Sequence, residues 1–299
     1  MNTTFEFFSE LFKQKPHYPQ LAKKFLKGIT PIEDLQNNED LIKPITKTEL
    51  FWIIKQMATG KTPGPDGNAI EFYHKCWLII GDNFTNMLNE IHVKGIDEIK
   101  YGIITLVHKK NKKEDLRNYR PVSLLNTDLK IYTKILANRL KPLLQKILQS
   151  YQFAAPGKTI TDATTLLRDL HDYVASRNRN AFFISLDFEK TFDSVNHEWL
   201  HATLKKMSFP NPFLKIIKSL YTNATSKILI NGHLTKPIKM GKGIRRGDPL
   251  SLFSFLLVAN PLVINTNPER LNYSGHQNPR KGHWEKSELR RRHNNHDNR

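Results

Sequence analysis

A short apolar run that stops at an acidic residue is the feature that most constrains the fold of this chain. Residues 181–186 read Ala-Phe-Phe-Ile-Ser-Leu and are followed directly by Asp187. An apolar run of this length predicts a buried β-strand. A carboxylate at the end of such a strand is held rigidly at a cleft, where it can bind a hard cation. An aspartate that only caps the following turn is the alternative, and this segment alone leaves both open.

The charge balance points to a polyanionic partner. The 299 residues include 46 Lys and Arg against 28 Asp and Glu, a formal net charge of +18. Such a surplus favours nucleic acid, with an anionic membrane surface as the rival. No apolar run reaches the length of a membrane-spanning helix, so we expect no membrane partner.

Cysteine content and the N-terminus constrain the compartment. Cys76 is the only cysteine, which excludes a disulfide within the chain and a cysteine-based zinc site. The N-terminus lacks the basic start and apolar stretch of a secretory signal. We therefore expect an intracellular protein that is not secreted; whether it acts in the nucleus stays open.

Turn and capping signals divide the chain into three parts. Residues 1–45 predict a helical N-terminal extension, and residues 266–299 form a basic tail without periodicity, predicted to be disordered. Residues 46–265 combine helical and strand patterns and predict an α/β (α+β) unit. In this unit Thr46 is a predicted helix N-cap, because Glu49 follows three residues later. Asn231-Gly232 between two short runs predicts a β-hairpin with a type I′ turn.

Two prolines and an aspartate give more detailed predictions. Asp248-Pro249 is predicted to open a helix, because Asp accepts hydrogen bonds at an N-cap and Pro is tolerated at the first helical position. Pro261 is predicted to follow the end of that helix. Pro142 is predicted to kink a basic helix over residues 129–148.

The segment around Asp187 also carries a family resemblance. Residues 186–197 read Leu-Asp-Phe-Glu-Lys-Thr-Phe-Asp-Ser-Val-Asn-His, which is similar to motif A of non-LTR (LINE-type) reverse transcriptases. The resemblance implies that Asp187 binds the catalytic metals, a pair of Mg²⁺ ions, and that the Phe188 carbonyl adds an oxygen. It places Phe192 at an aromatic steric gate that would exclude the 2′-hydroxyl of ribonucleotides. Core packing is the alternative for Phe192.

Other blocks follow in the order found in that family. Lys109 and Arg120 match the positions in the basic fingers segment that grip the incoming triphosphate, with solvated loop cations as the alternative. Residues 243–253 resemble motif B, in which Gly247 lets the backbone approach the nucleotide closely. Arg246 and Leu252 depart from the usual Gln and Pro of that motif.

A template path is implied by two further segments. Arg139 and Gln152 lie in stretches that resemble family landmarks along the template, and Arg246 is assigned to the same path. A basic helix face beside aromatic residues suits backbone tracking and base stacking. A plainly solvated helix face remains the alternative for each residue.

The resemblance implies a right-hand polymerase fold with fingers, a partial palm and no thumb. The implied activity is RNA-templated addition of deoxynucleotides to a DNA primer. The family's next motif, an aromatic-Ala-Asp-Asp hairpin called motif C, has no counterpart in the 299 residues. The alternative function is therefore a truncated or frameshifted remnant that binds nucleic acid without polymerising. The sequence leaves protein partners open.

Overall fold

Two strands joined by a short loop start a five-stranded sheet. The computed structural model describes residues 2–15, 18–96, 100–148, 152–178, 180, 182, 185 and 187–265. The strands are β1 (Gly102–His108), β2 (Tyr119–Leu125), β3 (Thr225–Ile230), β4 (His233–Leu234) and β5 (Ile238–Lys239). β1 pairs antiparallel with β2 and parallel with β3, and β3 also pairs antiparallel with β4 and β5.

Helices surround this sheet, so the fold is mixed α/β. Among the described residues, five α-helices precede β1, four lie between β2 and β3, and one follows β5. They are α1 (Asn2–Phe12), α2 (Pro19–Lys27), α3 (Glu33–Gln36), α4 (Lys47–Gln56), α5 (Ile70–Lys94), α6 (Thr127–Ile147), α7 (Ile160–Ser176), α8 (His197–Lys206), α9 (Asn211–Tyr221) and α10 (Ser251–Asn265). Short 3₁₀ turns occupy Glu39–Leu41 and Leu116–Asn118. No helix in the described part of the chain is long and apolar enough to cross a membrane.

Local sequence signals account for several of these boundaries. The Thr46 hydroxyl accepts a hydrogen bond from the Glu49 amide at 3.1 Å, which confirms the predicted N-cap of α4. Asn231 and Gly232 have φ angles of 47° and 82°, which confirms the type I′ turn between β3 and β4.

Two apolar clusters hold the elements together. The larger one surrounds α6, whose Tyr132 and Leu136 are fully buried among α4, α5, α9 and α10. The smaller one lies between α1 and the sheet, where Phe8 and Phe12 pack against Ile104 and Ile228. Helix α1 is therefore part of the same compact unit, which extends to Ile264.

The structure corrects two predictions around α10. The helix begins at Ser251, because Asp248 instead caps a tight turn in which its carboxylate accepts from the Leu250 amide at 2.9 Å. Pro261 lies inside the helix rather than after it. Burial explains this, since Pro261 packs among the buried residues of α10 and tertiary contacts override the local cost of proline.

Two other predictions fall wholly or partly outside the described residues. Positions 181, 183, 184 and 186 of the predicted strand are outside them. Phe182 and Ser185 are described, and both are exposed and in no strand, so burial is wrong at these two positions. The basic tail, residues 266–299, lies outside the described residues entirely.

Candidate functional site

The turn formed by residues 188–195, the motif A turn, begins at the surface and is held by its own hydrogen bonds. Asp187 and Phe188 both face solvent. The Thr191 hydroxyl donates to the Phe188 carbonyl at 2.9 Å, and the Ser194 amide donates to the Lys190 carbonyl at 3.0 Å. The Asp187 carboxylate therefore lies at the surface of the turn, while the Phe188 carbonyl already has one hydrogen-bond donor.

The loop formed by residues 243–250, the motif B loop, is hydrogen-bonded to this turn. The Gly243 amide donates to the Val195 carbonyl at 2.7 Å, and the Ile244 amide donates to the Phe192 carbonyl at 2.8 Å. Gly243 has φ +90°, and a Cβ atom there would lie 3.1 Å from the Asp193 carbonyl oxygen. Glycine is thus required for this close approach. The structure brings together the two segments that resemble motifs A and B.

An ion pair links the side chains of the same two segments. Arg246 Nη2 donates to Asp193 Oδ2 at 2.9 Å, and the guanidinium lies over the Phe192 ring at 5.8 Å. The other ring contact of Phe192 is with Phe255, stacked at 5.8 Å between centroids. Burial raises the pKa of Asp193 to about 6, although Arg246 and two nearby lysines oppose the shift. The Phe192 ring is therefore fixed by an arginine and by a residue of α10.

Gly247 joins the motif B loop to the edge of β2. The Ser123 amide donates to the Arg246 carbonyl at 2.8 Å. Gly247 has φ +102°, and a Cβ atom there would lie 2.8 Å from the Ser123 carbonyl oxygen. No side chain fits at this distance without displacing the backbone of β2. Gly247 thus allows a close backbone approach, here to a strand of the protein itself.

The two predicted triphosphate ligands lie on one face of the β1–β2 hairpin. Arg120 is opposite Val107 in the antiparallel register, and Lys109 follows two residues after Val107. Side chains two residues apart on a strand share a face, as do directly opposed residues. Lys109 and Arg120 are both exposed, and the Lys109 amide continues the ladder by donating to Asn118 at 2.8 Å.

A cationic cavity of about 340 Å³ adjoins Gly247. Lys61 lines it from the turn before α5, and Lys130 and Lys134 line it from α6. Its other lining residues are uncharged: Gln56, Met57, Ala58, Ile70, Thr127, Gly247 and Pro249. Burial lowers the pKa of Lys130. Sequence reasoning did not assign these lysines, although the basic pattern of α6 was the signal that pointed to this helix.

Arg139 of the same helix requires a correction, because its side chain is committed within the fold. The guanidinium makes a bidentate pair with Glu49, at 2.9 and 2.7 Å, and donates to the carbonyl groups of Lys43 and Pro44. Only 4% of the Arg139 side chain is exposed. Arg139 therefore ties α6 to the start of α4, and the structural role replaces the expected template contact.

Gln152 is also buried, but its side chain is not committed. It is 9% exposed, and its Oε1 atom has no hydrogen-bond partner among the described residues. A template contact at Gln152 stays a prediction.

The described residues do not complete a two-metal site. No three His, Cys, Asp or Glu side chains among them lie close enough together to hold a metal ion. Asp193, the nearest buried acid in the turn, is paired with Arg246. Asp187 is thus the one candidate carboxylate ligand that the described part of this turn offers on the resemblance to motif A, and two ions need more than one carboxylate.

Comparison with known proteins places the chain in a family. The family model described as reverse transcriptase (RNA-dependent DNA polymerase) matches residues 107–274, more than half of the chain. The chain is 35% identical over 260 residues to the transposon TX1 uncharacterized 149 kDa protein of Xenopus laevis, covering 86% of this chain and 20% of that protein. It is 28% identical over 218 residues to a probable RNA-directed DNA polymerase from transposon BS of Drosophila melanogaster, covering 70% and 24%.

A third relative is the retrovirus-related Pol polyprotein from the type-1 retrotransposable element R2 of Nasonia vitripennis. It is 26% identical over 240 residues, which are 79% of this chain and 22% of that protein. The chain spans between a fifth and a quarter of the length of these three relatives. The chain belongs to the reverse transcriptase (RNA-dependent DNA polymerase) family, and its relatives are of the non-LTR, LINE-type retrotransposon kind.

Proposed function

We propose that this chain forms part of an RNA-directed DNA polymerase that adds deoxynucleotides to a DNA primer on an RNA template. The main support for the proposal is that the motif B loop is in contact with both the motif A turn and the fingers strand β2. The motif B loop is bonded to the motif A turn through Gly243 and Ile244, and to the fingers strand β2 through Arg246. A nucleotide held between these blocks would meet the residues that the family resemblance assigns to it.

Lys109 and Arg120 bind the triphosphate of the incoming nucleotide in this proposal. Both are exposed on one face of the hairpin, and no ion pair of either side chain occurs among the described residues. An arginine supplies bidentate contacts to phosphate and a lysine supplies a point charge. Phe192 acts as the steric gate, held by the Arg246 guanidinium and the Phe255 ring.

The nucleic acid lies beside Gly247 in this proposal. Lys61, Lys130 and Lys134 converge on the adjoining cavity without an acid among its lining residues, which suits a phosphodiester backbone. Gln152 and Arg246 remain further candidates for contact with template or primer.

Reverse transcriptases depend on divalent metal ions in general. We propose Mg²⁺ as the ion, because the carboxylate of Asp187 and the carbonyl of Phe188 are hard oxygen ligands of the kind that Mg²⁺ prefers. The described residues supply only part of a two-ion site. Their role in this proposal is to bind and orient the nucleotide and the nucleic acid.

Primer extension on an RNA template tests the proposal. The chain is incubated with a DNA primer, deoxynucleotides and MgCl₂, beside the variants Asp187→Ala and Glu189→Ala. Glu189 is an exposed acid two residues further on in the same turn, so its variant loses the same charge. Extension by the unmodified chain and by Glu189→Ala, together with its loss in Asp187→Ala, would support the proposal.

Two results would contradict the proposal. Equal extension by Asp187→Ala would show that the activity does not use the predicted metal ligand. No extension by an unmodified chain that still binds the RNA–DNA hybrid would support the inactive, nucleic-acid-binding alternative.

A further inference from the structure

Lys242 is a largely buried lysine whose side chain has no ion pair in the described part of the chain. It is only 8% exposed, and among the described residues no hydrogen bond or ion pair reaches its ammonium group. Burial of most of this side chain costs free energy of folding when no counter-charge accompanies it, because the hydration of the charged group is reduced. Such a residue requires an explanation, and Lys242 lies directly before the motif B segment, whose resemblance implies contact with the nucleotide.

The end of α1 places a second lysine beside it. The Phe12 carbonyl accepts hydrogen bonds from two consecutive amides, Gly241 at 2.9 Å and Lys242 at 3.2 Å. A Cβ atom at Gly241 would lie 2.8 Å from the Gln14 amide nitrogen. The backbone around residue 242 thus packs directly on residues 12–14, and Lys15 follows next in the chain.

The motif A turn contributes a third lysine. Lys190 has φ 50° and extends its ammonium group over the Phe7 ring of α1, 5.1 Å from the centroid. Burial lowers the pKa of Lys242, and the positive charges of Lys15 and Lys190 lower it further. Three cations from three separate segments therefore converge.

The two acids whose charge acts on Lys242 do not balance it, because both are already paired. Glu10 and Asp193 are the two acids whose charge acts on Lys242. Glu10 forms an ion pair with Lys13 at 3.4 Å, and Asp193 forms its pair with Arg246 at 2.9 Å. An excess of positive charge remains at the junction of α1, the motif A turn and residue 242.

We propose that Lys15, Lys190 and Lys242 form a phosphate-binding site on the α1 side of the motif A turn. Phosphate fits the site because lysines bind it as point charges and because its negative charge offsets their mutual repulsion. The source of the phosphate is either the backbone of a nucleic-acid strand or the triphosphate of a nucleotide. The choice of these two ligands rests on the proposed function.

A groove of about 460 Å³ extends the site toward the fingers. Phe7, the ring beneath Lys190, also lines this groove, together with Lys112 and Arg117 of the loop between β1 and β2. Glu114 and Asp115 lie in the same wall, and Asp115 is paired with Arg117. Phe7 therefore lies both beneath Lys190 and at the edge of a groove whose other walls come from the loop between β1 and β2.

The test measures binding without catalysis. The full chain, Lys242→Met and the control Lys239→Met are titrated with a labelled RNA–DNA hybrid at several salt concentrations, without MgCl₂ or deoxynucleotides. Lys239 lies on β5 and is exposed, so its variant loses the same charge from outside the site. In a second arm the same proteins are titrated with sodium tripolyphosphate.

We expect Lys242→Met to bind the hybrid about fivefold more weakly at 0.1 M salt, with a salt slope smaller by roughly 0.7 to 0.9. This result would identify a backbone phosphate as the ligand. Loss of tripolyphosphate binding with unchanged hybrid binding would instead identify a triphosphate. Equal behaviour of Lys242→Met and Lys239→Met in both arms would overturn the proposal.

Thermal unfolding separates binding from a structural role. Replacement of a largely buried lysine that has no ion pair among the described residues should leave the Tm of Lys242→Met unchanged or raise it, whereas loss of a structural lysine would lower the Tm. If Lys242→Met unfolds, Lys190→Met and the exposed Lys15→Met decide the question by the same titrations. Because no arm requires polymerisation, the site can stand if primer extension fails, and it can fail if extension succeeds.

Discussion

Arg246 donates a hydrogen bond to Asp193 at 2.9 Å while the aspartate is only 3% exposed. The pair connects the motif A turn to the motif B loop through side chains, beside the backbone bonds that join the same segments. A buried carboxylate needs a counter-charge. Arg246, which departs from the usual glutamine of motif B, supplies that charge at the position directly before Gly247.

The Asp193 carboxyl should make the folding stability depend on pH. Its pKa is about 6 in the folded protein and close to 3.8 when unfolded, so the folded state binds more protons between these values. Stability therefore falls as the pH rises from about 4 to about 6, by roughly 3 kcal/mol at most. Urea unfolding at pH 4, 5, 6 and 7 measures this component.

Asp193→Asn is the control for that measurement. The variant cannot ionise at this position, so the difference in unfolding free energy between it and the unmodified chain should change across the same pH range. A difference that stays constant from pH 4 to pH 7 would assign the pH dependence to other groups.

Gly247→Ala should abolish primer extension and destabilise the fold. The new Cβ would meet the Ser123 carbonyl at 2.8 Å, and φ is +102°. Gly232→Ala is the matched control, because Gly232 also has a positive φ, +82°, but nothing lies within 4 Å of its Cβ position. We expect about 1 kcal/mol from backbone strain in the control and about 1–3 kcal/mol more for Gly247→Ala. Equal losses in denaturant unfolding would show that β2 yields to the methyl group.

Arg139→Ala should reduce the unfolding free energy by about 3–5 kcal/mol, because Glu49 would lose its bidentate partner. Lys146→Ala is the control on the same helix. Lys146 pairs with Asp34 at 3.2 Å at the surface, where such a pair contributes at most about 1 kcal/mol. If Arg139→Ala folds and its affinity for the RNA–DNA hybrid depends less steeply on salt than that of the unmodified chain, Arg139 contacts the template as the sequence predicted.

Phe192→Ala should reduce the preference for deoxynucleotides over ribonucleotides, by about tenfold or more in kcat/KM. Phe255→Ala removes only the supporting ring, so its effect on the preference should be smaller. Primer extension with matched dNTP and rNTP pairs measures both. An unchanged preference in Phe192→Ala would return Phe192 to a packing role.

Two features whose signals are confined to a few neighbouring residues were predicted correctly. The Thr46 cap depends on Glu49 three residues later, and the hairpin depends on the adjacent pair Asn231-Gly232. Both need only local backbone geometry. The family relationship was also recoverable, because its blocks are contiguous strings of the sequence.

Features that depend on distant partners were not predicted. On the cationic face of α6, Arg139 is buried whereas Lys130 and Lys134 line a cavity. Arg139 is buried because it pairs with Glu49, which lies 90 residues away in the sequence. Likewise, Pro261 lies inside α10 because it packs among the buried residues of that helix. A periodic pattern identifies a helix face but not which element covers each part of it.

The motif B loop also fixes the distance between the motif A turn and β2. Residues 243 and 244 are hydrogen-bonded to the motif A turn, and residue 246 is hydrogen-bonded to β2. The attachment to the motif A turn is therefore only two residues away along the chain from the attachment to the fingers strand. One residue added or removed there would shift the register of one attachment against the other. Insertions and deletions in natural variants should therefore collect in the exposed stretch between β1 and β2, and the interval from Gly243 to Gly247 should keep a constant length.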